Sequence, residues 1–183
     1  MSNQGWKVDN THSSVHFTVR HMVVSKVKGV FDRWTSELAI DENDLTKSSV
    51  TVTIDAASID TKTEQRDNHL RSADFLGVEQ FPNIVFKSKR IESAGGDRYK
   101  MIGDLTIKDV TREVTLEVEY SGMEKDPWGG QRAGFTAHTS IERKDFGLTW
   151  NLLLETGGVV VGDKIAIDIE IEAVRQLAAK EAA

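Results

Sequence analysis

The chain has 183 residues, of which 39% are hydrophobic and 28% are charged, and it carries a net charge of −6. This length and composition fit one soluble globular domain with a single core. An acidic chain without a cluster of Lys and Arg is a poor candidate for binding nucleic acid, and the absence of cysteine excludes disulfides and thiolate metal sites.

The N-terminal residues 1–5 have neither the basic region nor the apolar region of a secretory signal. No stretch of the sequence approaches the roughly 18 apolar residues that are needed to span a bilayer. We therefore expect a cytoplasmic protein with no stable membrane insertion.

Alternation of apolar and polar residues predicts β-strands along most of the chain, because successive side chains of a strand face opposite sides of the sheet. Within the long segment 27–40, Gly29 predicts a bulge or a close approach of another residue. Pro127, Gly129 and Gly130 predict a hairpin loop around Trp128. The predicted strands lie at 6–8, 14–20, 27–40, 50–55, 84–91, 99–107, 110–122, 133–141 and 164–174.

One segment departs from this alternation. Residues 63–72 are polar, lack β-branched residues after Thr63, and predict a short helix that begins at Thr61 or Thr63. Nothing indicates a parallel β-α-β unit, so the fold class is all-β, with about eight antiparallel strands in a barrel or a sandwich. We expect a single domain over residues 5–174, followed by an Ala-rich tail at 175–183.

The dry faces of these strands enclose either a packed core or a ligand cavity. An eight-stranded barrel is just wide enough for either, as in lipocalins. Core and cavity use the same residue types, so the alternation alone leaves both open. The candidate wall residues are Val15, Phe17, Val19, Phe31, Phe86, Phe135, Phe146 and Trp150.

Polar residues that could carry chemistry are sparse. The five histidines form no HExxH motif, and no GxSxG elbow accompanies Ser13, so we expect neither a metal centre nor a hydrolase triad. The densest polar run is 66–71, in which Arg66, His69 and Arg71 lie within two helical turns. This run is either a solvated helix held by Leu70 or the polar rim of a barrel mouth.

The order and spacing of short motifs over about 170 residues resemble the YceI-like family of polyisoprenoid-binding proteins. Each motif is weak alone, and the match is specific because all of them occur in order. The matching segments are WKVD at 6–9, His12-Ser13, Phe17, GVF at 29–31, SIDT at 58–61, RDNHL at 66–70, Asp74-Phe75, FPNIVF at 81–86, GDLTI at 103–107, RKDFG at 143–147 and Gly162-Asp163.

This resemblance implies a lipocalin-like antiparallel barrel with an elongated apolar pore. It also implies a bound polyisoprenoid, either an isoprenoid quinone or a polyprenyl precursor, and no established catalytic activity or separate cofactor. We expect the eight wall residues to contact the chain of the ligand. The polar mouth that would contact its head group is expected at His21, Arg66, His69 and Arg71.

The leading hypothesis is therefore a non-catalytic carrier of an isoprenoid lipid. One alternative is a structural or interaction barrel with a filled core, which predicts no cavity. Another is an enzyme acting on a lipid-like substrate with His21 or His69 as base, which requires a histidine and a carboxylate inside the pore. A homodimer is compatible with each of these hypotheses.

Overall fold

The strands of this computed structural model, which describes residues 5–152, 154 and 159–175, follow the predicted alternation. The one α-helix of the described part is α1 (Glu64–Arg71), and short 3₁₀ helices lie at Leu45–Lys47, Ala56–Ser58 and Arg143–Phe146. The strands are β1 (Trp6–Val8), β2 (Ser14–His21), β3 (Ser25–Phe31), β4 (Trp34–Ala39), β5 (Ser49–Asp55), β6 (Ile59–Asp60), β7 (Asn83–Ser93), β8 (Arg98–Ile107), β9 (Val110–Lys125), β10 (Gln131–Glu142) and β11 (Val161–Arg175).

These strands form one antiparallel sheet. Its order is β4-β5-β7-β8-β9-β10-β11-β2-β3-β6, and β1 pairs with the end of β11. Most neighbours are joined by short hairpins, as expected for antiparallel strands. The sheet therefore has β4 and β3, which are consecutive in the chain, at or next to its opposite ends.

The sheet curls into a lipocalin-like barrel because β3 and β4 are two halves of one bent strand. The first half pairs with β2 and the second half with β5. At the bend, the amide of Asp32 donates to the carbonyl of Ser58, and the amide of Asp55 donates to the carbonyl of Arg33. With β3 and β4 counted as one strand and short β1 and β6 set aside, eight strands of the described residues form the wall.

The structure differs from the sequence prediction at three places. The predicted strand 27–40 breaks at Asp32 and Arg33, and the short strand β6 and the 3₁₀ helices carried no sequence signal that we recognised. β11 continues through Arg175, which pairs with Trp6 and Gln131, so the strand reaches one residue into the predicted tail. Residues 176–183 lie outside the described part.

Gly29 is the close approach that the sequence predicts. It lies directly opposite Phe17 in the β2–β3 register, and a Cβ atom at this position would lie 2.2 Å from Phe17 Cζ. The missing side chain lets the Phe17 ring lie across β3. Gly103 does the same for the ring of Phe86, whose Cζ would be 2.6 Å from a Cβ.

We predict that Gly29→Ala destabilises the protein by about 1–3 kcal/mol, because the added methyl group forces the Phe17 ring out of its place. Urea unfolding measures this change. The double variant Gly29→Ala/Phe17→Leu is the control and should recover part of the loss. An unchanged free energy of unfolding for Gly29→Ala alone would contradict the close packing described here.

Candidate functional site: a two-compartment apolar cavity

The inner face of the barrel surrounds an apolar cavity of about 210 Å³. All long strands contribute to its wall, and Leu70 of α1 closes part of one end together with Phe75 and Leu76. The accessible wall surface is entirely apolar. A cavity of about 150 Å³ lined by aliphatic and aromatic residues stays dry and binds benzene, so this larger compartment suits hydrocarbon rather than water.

A smaller compartment of about 140 Å³ lies farther along the barrel, towards Val8, Leu38 and Phe135. Its accessible surface is also apolar. The two compartments share part of their walls, so they are consecutive sections of one tube rather than separate sites. The shared residues are Trp34, Val52, Phe86, Leu116, Ile169 and Ile171.

Six of the eight predicted wall residues line these compartments. Phe86 lines both of them, at the boundary, and Phe135 lines the smaller one. Val15, Phe17, Val19 and Phe31 line the larger one. Their contact with a ligand stays a prediction, but the strand alternation placed them on the correct face.

The structure places the other two predicted wall residues elsewhere. Phe146 is 2% exposed and packs in the core with residues such as Leu148 and Ile141. Trp150 packs on Phe75, with ring centroids 5.2 Å apart, and stands behind the wall rather than in it. Both residues follow the end of β10, where the two-residue period of a strand no longer applies.

The two arginines of the predicted polar mouth hold the protein's own backbone. Arg66 donates to the hydroxyl and carbonyl oxygens of Thr61 at 2.7 and 2.8 Å. Arg71 donates to the carbonyls of Ala57 and Ile59 at 2.8 and 2.9 Å. These bonds fasten α1 to the segment before it, so the geometry does not support either guanidinium as the primary head-group contact.

The predicted histidines also lie outside the cavity wall. His69 Nε2 is 2.8 Å from Asp74 Oδ2, and its ring meets Phe75 and Trp150 edge-on at 5.1 and 4.6 Å. His21 ends β2 opposite Val161 and Ser25. His69 therefore supports the α1 end of the larger compartment, whereas His21 stands at the barrel rim.

Arg143 is the polar wall residue that the sequence reasoning missed. It lines the larger compartment although it is only 2% exposed, and burial lowers the pKa of its guanidinium. The side chain donates to the carbonyls of Leu148, Trp150 and Gly162 at 2.6, 2.9 and 2.9 Å. It thereby ties the segment after β10 to the start of β11. A signal was present, since Arg143 continues the inward alternation of Ala137, Thr139 and Ile141.

We predict that Arg143→Met destabilises the protein by about 3 kcal/mol or more, because several buried carbonyl oxygens lose their donor together. Urea unfolding is the measurement. Lys144→Met is a matched control at the next position, where an exposed pair with Asp163 contributes about 1 kcal/mol at most. Equal losses for both variants would show that Arg143 does not hold this end of the barrel.

A second polar cluster lies at the turn between β1 and β2. Donor atoms of Asp9, His12 and Glu172 lie within 4.8 Å of one another, a spacing compatible with a metal ion. Arg132, however, donates to the carboxylates of both Asp9 and Glu172. Because its guanidinium already supplies the positive charge between them, we assign the cluster to a network of ion pairs.

His12 sets the electrostatics of this network. Its hydrogen bond to Asp9, at 2.9 Å, is the main cause that lowers the pKa of Asp9 from 3.8 to about 2, and the same bond raises the pKa of His12 above 6.5. The stabilisation is fully present between these two ordinary values. It is lost as pH rises through the folded-state pKa of His12, or falls towards about 2.

We predict that His12→Ala returns the pKa of Asp9 towards its ordinary value of 3.8. The stability difference between wild type and variant should also shrink as pH rises past the titration of His12. Carboxyl-carbon NMR titration and denaturation at mildly acid and alkaline pH measure the two effects. An Asp9 pKa that stays near 2 in the variant would show that Arg132 and the backbone, rather than His12, hold it down.

Fold and cavity together define a lipocalin-like barrel with a hollow apolar interior. Residues 6–173 match the model of the YceI-like domain, and the chain belongs to that family. It is 41% identical over 165 residues to the UPF0312 protein SAS2572 of Staphylococcus aureus, covering 90% of this chain and 94% of that protein.

Two solved structures share the fold. BcnA of Burkholderia cenocepacia superimposes with a TM-score of 0.80 at 23% identity, over 91% of this chain and 99% of that one. A polyisoprenoid binding domain from Saccharophagus degradans superimposes with a TM-score of 0.67 at 13% identity, over 95% and 99%. Among the described residues, no helix is long and apolar enough to cross a membrane.

Proposed function

We propose that this protein binds a polyisoprenoid lipid in its barrel and carries it without chemical change. The observation that supports this most directly is the apolar tube formed by the two compartments. Moving an isoprenoid from water into such a tube gains roughly 0.8 kcal/mol per carbon-sized group, or about 4 kcal/mol per five-carbon unit. Ordering of the chain offsets part of this gain.

The family likeness supports the same ligand class. The domain from Saccharophagus degradans is described as polyisoprenoid-binding, and its fold is the one found here. Because its sequence identity is low, the likeness extends to the shape of the barrel and not to individual contacts. The ligand class is therefore proposed from the cavity, with the relative as independent support.

The size of the tube bears on the length of the ligand. A benzene molecule fills a cavity of about 150 Å³, so the two compartments of about 210 and 140 Å³ each match roughly one or two five-carbon units. A longer chain must cross the boundary between them. Trp34 and Phe86 are the largest side chains at that boundary, and they are therefore the proposed determinants of chain length.

A carrier role fits the cavity better than catalysis does. Within the described residues, neither compartment has an aspartate or a glutamate in its wall, whereas a histidine base of the kind considered above needs a carboxylate partner. His21 and His69 lie outside the wall. A filled-core structural barrel is also disfavoured, because that alternative predicts no cavity.

The direct test is to extract the purified protein with organic solvent and identify the lipid by mass spectrometry. We expect an isoprenoid in near-stoichiometric amount, or its uptake when polyprenols or isoprenoid quinones are added to a delipidated sample. A protein that is lipid-free as isolated and refuses both classes would refute the proposal.

We further predict that Phe86→Leu shifts the preference towards longer isoprenoids, because a smaller side chain opens the boundary between the compartments. Competition among prenyl alcohols of increasing length measures the preference. Phe146→Leu is the matched control, since it removes the same ring from the core outside the cavity wall. It should lower stability without changing the preferred length. The same shift in both variants would mean that general loosening, rather than the boundary, sets the length.

A further inference from the structure

The hairpin between β2 and β3 exposes apolar side chains that the fold does not require. Met22, Val23 and Val24 form its loop, and the last two are 64% and 87% exposed. Leu152 is exposed beside them, linked through Val160, whose amide donates to Leu152 and whose carbonyl accepts from Met22. We call these four residues, Met22, Val23, Val24 and Leu152, the apolar tip.

The residue choice at the hairpin is unfavourable for the turn itself. Met22 and Val23 have φ angles of 52° and 65°, a region in which Asn and Gly are preferred and a β-branched residue is strained. Polar turn residues would suit both the backbone and water better. Folding therefore gives no reason for this sequence, and a partner for the exposed side chains does.

Basic residues stand directly behind the apolar tip. Arg20 and Lys26 are opposite each other in the β2–β3 register, and Lys28 lies opposite Thr18 on the same outer face. All three are exposed. Like charges directly opposite each other oppose strand pairing, and this pair occurs in a chain whose net charge is −6. Apolar residues in front of cations form the pattern that binds an anionic lipid surface.

The apolar tip is also next to the cavity. Val161 follows Val160, pairs with His21 and lines the larger compartment, as does Val19 one turn of the strand pattern away. A lipid surface touching the apolar tip would therefore meet the barrel at the end where its larger compartment lies. The opposite end is different, because its exposed Trp128 is a single apolar residue in a hairpin that also carries Glu124 and Asp126.

We propose that the apolar tip, with Arg20, Lys26 and Lys28, docks the barrel on an anionic membrane surface during loading or release of its ligand. Docking itself needs only the tip and the cations, and the step of ligand transfer rests on the proposed function. Contact is peripheral, with a few apolar side chains below the head groups, so binding should weaken as salt rises.

The test is flotation of the purified protein with vesicles of equal parts phosphatidylcholine and phosphatidylglycerol, compared with phosphatidylcholine alone. We expect binding to the anionic vesicles, about tenfold weaker in Val23→Ser/Val24→Ser. In Arg20→Gln/Lys26→Gln we expect about fivefold weaker binding for each cation removed. Trp128→Ser and Lys47→Gln/Lys125→Gln are the matched controls for apolar area and charge, and both should bind like wild type.

Binding of a fluorescent prenyl alcohol, measured without vesicles, separates this inference from the proposed function. The tip variants should keep wild-type affinity for that probe while its transfer from vesicles slows. Absence of vesicle binding, or its loss in Trp128→Ser but not in Val23→Ser/Val24→Ser, would overturn the docking proposal alone. A concentration-dependent dimer that the tip variants abolish would instead assign the apolar tip to a second copy of this chain.

Discussion

The bend at Asp32 and Arg33 is the constraint on which the cavity depends. It lets consecutive strands β3 and β4 pair with β2 at one end of the sheet and with β5 at the other. Backbone bonds to Ser58 and Asp55 hold the corner, and the guanidinium of Arg33 pairs with Asp55 at 2.8 Å. Without the corner, the inward alternation of these strands would form an open face rather than a tube.

The chain then avoids filling the tube it has made. Gly29 and Gly103 let the rings of Phe17 and Phe86 lie against neighbouring strands, which leaves space along the axis of the barrel. The buried cation Arg143 spends its hydrogen bonds on backbone carbonyls at one end of that space. Polar groups are thus satisfied within the protein, and the accessible wall presents carbon to a ligand.

Much of this could be predicted from sequence because strand alternation depends only on the local chain. It located the barrel strands and put residues such as Val15, Phe17 and Phe86 on the inner face. It failed for Phe146 and Trp150, which follow the end of a strand. It also failed for Arg66 and Arg71, since a long flexible side chain reaches either a ligand or a nearby carbonyl, and only the three-dimensional position of that carbonyl decides.

The central claim is that one apolar ligand occupies both compartments. A crystal structure of the protein loaded with a polyprenol tests it most directly. We predict continuous, chain-like density that runs from the larger compartment near Val19, between Trp34 and Phe86, to Phe135. Side chains that collapse to fill both compartments, with the polyprenol bound on the outside of the barrel, would contradict it.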